Sequence, residues 1–579
     1  MTIRARIAVA CLLVGIGPIG RAAFAAAEAD LILHHGKIVT ADRAFSIQEA
    51  LAVKGDQLIQ IGSNLDVLRS RGPNTTLVDL DGKMVLPGLI DSHAHPTDAC
   101  MIEFDHPVPE METIADVLKY IHARAMTLGP ERWVVVRQVF ITRLKEQRYP
   151  TRDELDQAAP NNPVLFATGP DASLNSLALK LSGIDSSFQI DGPGKIEKDP
   201  RTGEPTGILR NCTRYVKVTP SDNKPTEQDQ QRRLIELFND YNSVGITSVV
   251  DRDAYAPAID RYQKMHDAGA LTVRLGISHH VETLGPLDKV LEEIRRVAAH
   301  PLRHGGPWLR IVGIKTYLDG GMLTGSAYMR EPWGVSKIYA IDDPSYRGVL
   351  FIPREKLVPI VGEAVASGLQ FTAHSVGDGA VHALLDAYEE INKTTTVAPT
   401  RPCITHSNFM SHEAIDQAAR LGVVVDIQPA WLYLDTRTLA AQFGYDRLRY
   451  FQPLKSLFAA GVIAGGGSDH MQKIGSLRSI NPYNPFLAME VAITRRAKGY
   501  DRPLHPEEAL SREQAIRFYT INNAHFLFLE DRIGSLEPGK QADFVVIDRD
   551  LLTCPEDQIR STRALATYVD GKRVFHRPD

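Results

Sequence analysis

Two histidines, His93 and His95, close an apolar run in the segment M-V-L-P-G-L-I-D-S-H-A-H, which spans residues 84–95. A short apolar run of this kind is typical of a strand that is buried on both faces of a parallel sheet. Alternate side chains of a strand share one face, so both imidazoles would project to the same side. Two imidazoles on one face form half of a site for zinc or a similar divalent metal. Two unrelated surface histidines are the alternative, and the rest of the chain must decide.

Four further residues that can bind metal stand at or near the ends of later apolar runs. Lys315 lies in I-V-G-I-K-T-Y, His374 in F-T-A-H-S, His406 in C-I-T-H-S-N and Asp469 in G-G-G-S-D-H. Each has an ordinary explanation when taken alone: Lys315 can be an ion-pair partner, and Asp469 can be a helix N-cap. Their shared position at strand ends is hard to explain by coincidence. The sequence therefore predicts a metal site.

The elements that would position these residues form a repeating pattern in which apolar runs alternate with helical periodicity. Eight runs are predicted as strands: residues 86–95, 247–251, 271–278, 309–318, 369–374, 401–406, 422–428 and 462–469. Eight strands that alternate with helices indicate an α/β fold, the (β/α)₈ TIM barrel. Reactive residues in such a barrel lie at the C-terminal ends of the strands, where all six candidates fall.

The two ends of the chain read as short strands separated by turns such as Gly55-Asp56 and Asp570-Gly571. Isolated hairpins are only marginally stable, so we expect both ends to pair into one small composite β-sandwich. The predicted division is residues 28–84 and 529–579 for the sandwich and residues 85–528 for the barrel. An insertion of about residues 100–243 after the first barrel strand is expected to form a separate lobe.

The first 27 residues predict a signal peptide. Arg4 and Arg6 precede an apolar stretch over residues 7–19, and small residues follow over residues 22–27. A basic start, a short apolar segment and a small-x-small site are typical of secretory signals, and the apolar stretch is short for a membrane span. We expect an exported protein, periplasmic or secreted, that has no membrane contact after cleavage. An uncleaved anchor is the alternative.

Composition limits the class of partner. The chain has 579 residues and a formal net charge of -5, and its pI is near 6.5. These values argue against a nucleic-acid partner and leave a small-molecule substrate. The five cysteines lie far apart with no C-x-x-C pair, so they predict no thiolate zinc site. Whether one disulfide forms, and whether the chain forms a homo-oligomer, stays open at this point.

The six candidate ligands suit metal-assisted hydrolysis. Carbon dioxide can convert a lysine amine to a carbamate, whose two oxygens can bridge two ions. Bound divalent ions lower the pKa of water, produce a hydroxide nucleophile near neutral pH and stabilise a developing oxyanion. Asp469 would then take the proton of the hydroxide and pass it to the leaving nitrogen.

These motifs resemble the amidohydrolase superfamily. The resemblance rests on D-S-H-A-H, Lys315, H-S-V-G-D, T-H-S-N, G-S-D and the tail I-G-S-L-E-P-G-K-Q-A-D-F-V-V-I-D. Further marks, among them D-P-R-T-G-E-P-T-G, L-D-G-G and Q-P at residues 428–429, are similar to the branch that contains N-substituted formamide deformylases. The resemblance implies a barrel with a composite sandwich, one or two divalent ions (usually zinc) and hydrolysis of C–N bonds. By position it implies the ligands His93, His95, Lys315 (carboxylated), His374, His406 and Asp469, with Asp469 also as the catalytic proton shuttle.

The chain departs from the branch around the presumed substrate. Pro170 follows Gly169 where the branch usually has Gly-His, and His470 stands where small residues and proline are common. The candidate substrate-binding residues are Asn175, Asp319, Gly320 and His470. The departures leave the substrate open among amides, N-acyl compounds, formamides and cyclic amides.

Three functions remain at this stage. The main prediction is an exported, zinc-dependent amidohydrolase that acts on a C–N bond of a small molecule. An isomerase or carbon–carbon hydrolase with the same metals is the second, because a fold does not fix a function. A non-catalytic, metal-binding or regulatory relative is the third, and the complete ligand set argues against it.

Overall fold

The computed structural model describes residues 28–578 except 138, 170, 192–193, 220–222 and 479. The predicted signal peptide, residues 1–27, and Pro170 therefore lie outside the described residues. Within the described part of the chain, no helix is both long and apolar enough to cross a membrane. Cys100, Cys212, Cys403 and Cys554 are free thiols.

The described part of the chain begins with seven short strands that are divided between two sheets. They are β1 (Ala29–His34), β2 (Lys37–Val39), β3 (Ile47–Gln48), β4 (Ala50–Lys54), β5 (Gln57–Gly62), β6 (Arg71–Asp79) and β7 (Met84–Pro87), with the short helix α1 (Asn64–Val67) after β5. A four-stranded sheet has the order β5-β4-β1-β6, whereas β7, β2 and β3 form one side of a six-stranded sheet.

The first barrel strand, β8 (Leu89–Ala94), follows β7 after only one residue, Gly88. The predicted strand over residues 86–95 is thus divided between two sheets, because β7 pairs with the C-terminal strands and β8 with the next barrel strand. A Cβ on Gly88 would lie 2.2 Å from Oγ1 of Thr247, so the crossing point has room only for glycine. The sandwich therefore extends to Pro87, three residues beyond the predicted boundary.

The insertion forms its own five-stranded sheet in the order β12-β13-β11-β10-β9. Its elements are α2 (Pro96–Ala99), α3 (Ile114–Leu128), β9 (Val134–Arg137), α4 (Arg152–Ala158), β10 (Val164–Thr168), β11 (Asp171–Leu174), α5 (Ser176–Ser182), β12 (Lys195–Lys198) and β13 (Pro205–Arg210). Two separate apolar clusters lie within this lobe, one under α3 and one under α5. The next helix, α6 (Glu227–Ser243), already packs on the barrel and the C-terminal strands.

The remaining barrel strands are β14 (Ile246–Ala254), β15 (Arg274–His280), β16 (Leu309–Tyr317), β17 (Gln370–Ser375), β18 (Cys403–His406), β19 (Val424–Ile427) and β20 (Ala464–Gly466). The helices that accompany them are α7 (Ala256–Asp267), α8 (Leu287–Ala298), α9 (Arg354–Ala366), α10 (Asp378–Asn392), α11 (His412–Leu421), α12 (Pro429–Phe443), α13 (Leu454–Ala459), α14 (Pro485–Thr494), α15 (Arg512–Phe518) and α16 (Ile521–Phe526).

All eight barrel strands run parallel in chain order, from β8 to β20. The ring closes where the amide of Asp469 donates to the carbonyl of His93 at 2.8 Å and Ala94 bridges to His470. Every residue of β8, β18 and β19 is buried, as expected for strands covered on both faces. The predicted (β/α)₈ barrel is confirmed.

The last three strands complete the composite sandwich. They are β21 (Phe544–Ile547), β22 (Ala564–Val569) and β23 (Lys572–His576), and β21 pairs antiparallel with β7. Leu33, Leu51 and Val85 from the start of the chain share one apolar core with Phe544 and Tyr568 from its end. The predicted pairing of the two chain ends is thus observed.

A buried ion pair joins the sandwich to the barrel. Arg274, at the start of β15, donates from Nε and Nη2 to the two carboxylate oxygens of Asp543 at 2.6 and 2.9 Å. Asp570 also accepts from this guanidinium and from the indole of Trp308. Arg274 is fully buried, so its charge is compensated only by these carboxylates.

We expect the Arg274→Met change to lower the free energy of unfolding by about 3–5 kcal/mol, because it leaves two carboxylates without their cation. Urea unfolding followed by circular dichroism measures this. The matched control is Arg296→Met, whose guanidinium forms an exposed pair with Glu293, and it should cost about 1 kcal/mol or less. Equal effects of the two changes would show that the buried link does not hold the two parts together.

Candidate metal centre

Six predicted ligands meet at the C-terminal end of the barrel sheet, here called the mouth. In chain order they are His93 (in β8), His95 (after β8), Lys315 (in β16), His374 (in β17), His406 (in β18) and Asp469 (after β20). The side chains of His95 and His374 are 15% and 14% exposed, and the other four residues are buried. The structure thus brings together every ligand that the sequence predicts.

His93, His95 and Asp469 form the tightest part of this cluster. The Nε2 atoms of His93 and His95 are 3.3 Å apart. Oδ1 of Asp469 lies 3.4 Å from Nε2 of His93 and 3.2 Å from Nε2 of His95. The ligand atoms of these residues lie within 4.8 Å of one another, which is close enough for them to share one cation.

The other three candidates border this triad. The ring centroid of His406 is 5.0 Å from that of His93 and 4.5 Å from that of His374. Nζ of Lys315 lies 4.7 Å from the ring centroid of Tyr317, which in turn is 5.3 Å from the centroid of His374. Lys315, His374 and His406 thus lie next to the triad of His93, His95 and Asp469.

Asp426, at the end of β19, orients His93. Its Oδ2 lies 3.0 Å from Nδ1 of His93, and its Oδ1 accepts from the hydroxyl of Ser92 at 2.9 Å and from Nε2 of Gln428 at 2.7 Å. With Nδ1–H donating to this carboxylate, the lone pair of His93 is on Nε2, the atom that faces His95 and Asp469. The tautomer that can bind a cation is thus selected.

His406 is oriented in the same manner by Gln428. Its Nδ1 lies 2.8 Å from Oε1 of Gln428, an acceptor, so Nδ1 carries the proton and Nε2 is left with its lone pair. The backbone of His406 has a φ of 75°, a conformation that L-residues seldom adopt and that structures retain mainly at functional sites. The ring of Trp431 lies 5.3 Å away and covers His406 on the side of α12.

A strained turn that depends on glycine places Asp469 beside His93 and His95. The φ of Asp469 is 54°, and its backbone oxygen accepts from Nδ2 of Asn481 at 2.8 Å. Just before it, a Cβ on Gly467 would lie 2.7 Å from Cβ of His93 and 2.9 Å from its amide nitrogen. Glycine at this position lets the eighth strand approach the first closely enough for Asp469 to face both histidines.

Burial sets the protonation of the cluster. Desolvation, together with the charge of Lys315, lowers the pKa of His93 well below its ordinary value and that of His374 to about 3. Desolvation also lowers the pKa of Lys315. For His95 burial alone would lower the pKa, but the Asp469 carboxylate beside it raises it. The lowered pKa values favour neutral imidazoles at His93 and His374, and neutral imidazoles beside a carboxylate bind a divalent cation, so these residues fit the ion that the sequence predicts.

Asp319 and Gly320, two predicted substrate contacts, lie close to the ligands. The carboxylate of Asp319 accepts from the backbone amides of Tyr328, Val376 and Gly377, each at 2.9 Å. The carbonyl of Gly320 lies 3.4 Å from Nε2 of His374. Asp319 is buried, and its hydrogen bonds fix the loops that follow β16 and β17, so its role in the structure is to shape the mouth.

The structure does not support substrate contact by Asn175 or His470. Asn175 caps α5 in the insertion lobe, where its Oδ1 accepts from the amides of Ala178 and Val164. His470 is fully buried, with Nδ1 2.8 Å from the hydroxyl of Tyr241 and Nε2 against the carbonyls of Gln472 and Lys473. In both side chains, backbone groups and buried partners already use the polar atoms, and substrate contact by either residue stays a prediction.

Sequence reasoning missed several residues at or beneath the mouth. Asp426 lies inside the apolar run V-V-V-D-I-Q-P, where a lone charged residue in a buried strand was the available signal. Asp253 and His280, near the ends of β14 and β15, form a hydrogen bond of 2.8 Å. The two predicted strands, residues 247–251 and 271–278, end before Asp253 and His280.

Comparisons with known proteins agree with this geometry. The sequence profile described as the amidohydrolase family matches residues 76–575. The chain is 29% identical over 566 residues to an N-substituted formamide deformylase from Arthrobacter pascens, covering 95% of this chain and 98% of that protein. It is 26% identical to Protein LONG AFTER FAR-RED 3 of Arabidopsis thaliana over 94% of this chain and 92% of that one.

A solved structure shares the fold. The chain superposes on an uncharacterized metal-dependent hydrolase from Pyrococcus horikoshii OT3 with a TM-score of 0.66 and 22% sequence identity. The superposition covers 91% of this chain and 99% of the other.

We expect the Asp426→Asn change to weaken metal binding about 10–100-fold, because His93 loses the carboxylate that fixes its tautomer. Isothermal titration calorimetry of the metal-depleted protein with zinc measures the metal affinity. The control is Asp435→Asn, which alters an equally buried carboxylate that pairs with Arg143 and touches no candidate ligand. This control should lose stability but keep its metal affinity. Unchanged zinc affinity in Asp426→Asn would contradict the assigned role.

Proposed function

This chain belongs to the amidohydrolase family, and from that premise we propose that it is a zinc-dependent hydrolase of a C–N bond in a small molecule. The observation that carries the proposal is the set of six ligand-type side chains, withdrawn from bulk water, at the mouth. His93, His95 and Asp469 would hold one ion, and His374 and His406 a second, with Lys315 between them. Imidazole nitrogens and carboxylate oxygens are ligands that zinc accepts readily. Bound there, divalent ions would supply Lewis acidity and a water molecule that ionises near neutral pH.

Lys315 is suited to become a carbamate. Its residue is 1% exposed, and burial lowers the pKa of its amine, which favours the neutral form. A neutral amine can attack carbon dioxide, forming an N–C bond and releasing one proton to leave an anionic carbamate. That anion would add a negative charge beside the other ligands, which favours the binding of cations.

Asp469 is the proposed proton carrier. Its carboxylate lies beside the Nε2 atoms of two histidines, and burial raises its pKa above the ordinary value. A carboxyl group with a raised pKa can accept a proton from the attacking water and return it to the leaving nitrogen within one turnover. The close approach of Gly467 to His93 fixes the position of Asp469 for both transfers.

The proposed substrates are small molecules with an amide, N-acyl, formamide or cyclic amide bond. The name of the Arthrobacter pascens relative supports this class, because it describes cleavage of N-substituted formamides. The mouth is bordered by the rings of Trp431 and Tyr317, which would pack against an apolar substituent.

We further propose that the protein is exported. The support is the basic, apolar and small-residue order of the first 27 residues. Cys100, Cys212 and Cys403 are buried thiols, so oxidants outside the cytoplasm have limited access to them.

We expect chelation of divalent ions to abolish hydrolysis of a panel of N-acyl amino acids, N-alkylformamides and cyclic amides, and added zinc to restore it. Product formation and metal content, measured on the same samples, test this. Circular dichroism of the chelated protein controls for unfolding. Full activity in a sample whose metal has been completely removed would overturn the proposal.

We expect the Lys315→Ala change to reduce the metal content by about one ion per chain and to lower activity, since the bridging group is lost. Small carboxylates such as acetate should restore part of both if a carbamate normally bridges the ions. The control is Lys289→Ala, an exposed lysine on α8 that pairs with Glu292, and it should change neither quantity. Normal metal content in Lys315→Ala would exclude a bridging role.

A further inference from the structure

Three barrel strands, β14, β15 and β19, supply none of the six candidate ligands. Those ligands come from β8, β16, β17, β18 and the segments after β8 and β20, and β19 supplies Asp426, which supports His93. Strands β14 and β15 instead carry Asp253 and His280 at their C-terminal ends. This sector of the mouth therefore has polar groups that metal binding does not use.

His280 faces the same side of the sheet as Lys315. The two residues are partners in the register between β15 and β16, and paired residues of neighbouring strands project to one face. The side chain of His280 is 14% exposed, and its ring stacks on Tyr255 with centroids 4.3 Å apart. His280 thus lies beside the metal-binding cluster and remains accessible from solvent.

Asp253 fixes the orientation of the His280 ring. Its Oδ1 lies 2.8 Å from Nδ1 of His280, and its Oδ2 accepts from the hydroxyl of Tyr317 at 2.8 Å. Burial alone would raise the pKa of Asp253, but the hydrogen bond with His280 holds it below its ordinary value. The Asp253 carboxylate accepts a hydrogen bond from Nδ1–H of His280, so the tautomer that it selects has its lone pair on Nε2.

Within the described part of the protein, this lone pair accepts no hydrogen bond. Nδ1 is the only ring atom of His280 that makes a hydrogen bond to a described residue. Nearby, Tyr317 connects this sector to the ligands, since its ring lies 5.3 Å from that of His374 and 4.7 Å from Nζ of Lys315. A substrate bound at the ligands would meet an oriented hydrogen-bond acceptor on this side.

We propose that Nε2 of His280 accepts a hydrogen bond from the N–H group of the substrate's scissile amide, and that Asp253 is the positioning residue that makes this possible. The inference rests on the proposed function, and it narrows the substrate class. In a simple amide the nitrogen is the only strong hydrogen-bond donor, so an acceptor here selects amides that carry an N–H over tertiary amides. N,N-disubstituted amides have no N–H and would leave Nε2 unpaired.

The test compares N-butylformamide with N-butyl-N-methylformamide, which lacks the N–H. In the zinc-loaded enzyme we expect kcat/KM to be about tenfold or more higher for the secondary amide. The His280→Phe change keeps a ring that can stack on Tyr255 but removes the acceptor. It should lower kcat/KM about tenfold for N-butylformamide, mainly through KM, and leave the tertiary amide nearly unchanged.

Two further variants separate substrate contact from a structural role. His280→Gln restores an acceptor oxygen and should recover part of the preference. Asp253→Asn can donate to Nδ1, which would place the proton on Nε2, and should remove the preference as His280→Phe does. The matched control is His279→Phe, one position earlier, where Nδ1 contacts only the carbonyl of His280. This control should keep the preference, and an equal loss for both amides in His280→Phe would overturn the inference.

Binding to the metal-depleted wild-type protein, measured by calorimetry, separates this inference from the proposed function. If the zinc-loaded enzyme hydrolyses no amide, the proposed function fails, and the binding comparison still tests His280. Tighter binding of N-butylformamide that is lost in His280→Phe supports the inference. Equal binding of the two amides, or binding of neither, overturns it.

Discussion

The free-energy cost of burying ionisable groups is the constraint on which this structure depends. Lys315, Asp469 and two of the four histidines at the mouth are buried, and burial disfavours the charged form of each. Such a cluster is tolerated when each charge has a partner of opposite sign and each polar atom a hydrogen bond. Asp426 and Gln428 provide those bonds beneath His93 and His406. A bound cation would balance the carboxylate, so the same arrangement serves both stability and metal affinity.

The parallel strands of the barrel bring residues that are distant in the sequence into this cluster. Each parallel strand delivers its last residues to the same rim, so ligands that are far apart in the chain become neighbours without long loops. The closure between β20 and β8 is the most demanding step, since Asp469 must pass close to the backbone of His93. Three consecutive glycines, residues 465–467, precede it in the sequence. A Cβ on Gly467 would clash with His93, whereas a Cβ on Gly465 or Gly466 would clash with Asn523 or Tyr519 on the other side. Packing on both sides of the seam therefore explains the three glycines.

Much of the fold and the ligand set could be predicted because both depend on local sequence patterns. The eight strands are short apolar runs, and His93, Lys315, His374 and His406 occur where such runs end. Local patterns fail where a residue's partner comes from a distant segment. His470 was interpreted as a substrate contact, but the hydroxyl of Tyr241 lies against one ring nitrogen and the backbone carbonyl of Lys473 against the other. In the same way, only the assembled barrel shows that Asp253 and His280 meet.

The antiparallel pairing of β7 with β21 has a consequence for the synthesis of the protein. One partner precedes the barrel in the chain and the other follows it, so the sandwich cannot form until the whole barrel has been synthesised. Until then β7 presents an unpaired apolar edge, the kind of surface that promotes aggregation and recruits chaperones. A chain that ends early would keep that edge exposed. The junction between β7 and β21 thus distinguishes chains that contain β21 from chains that stop before it.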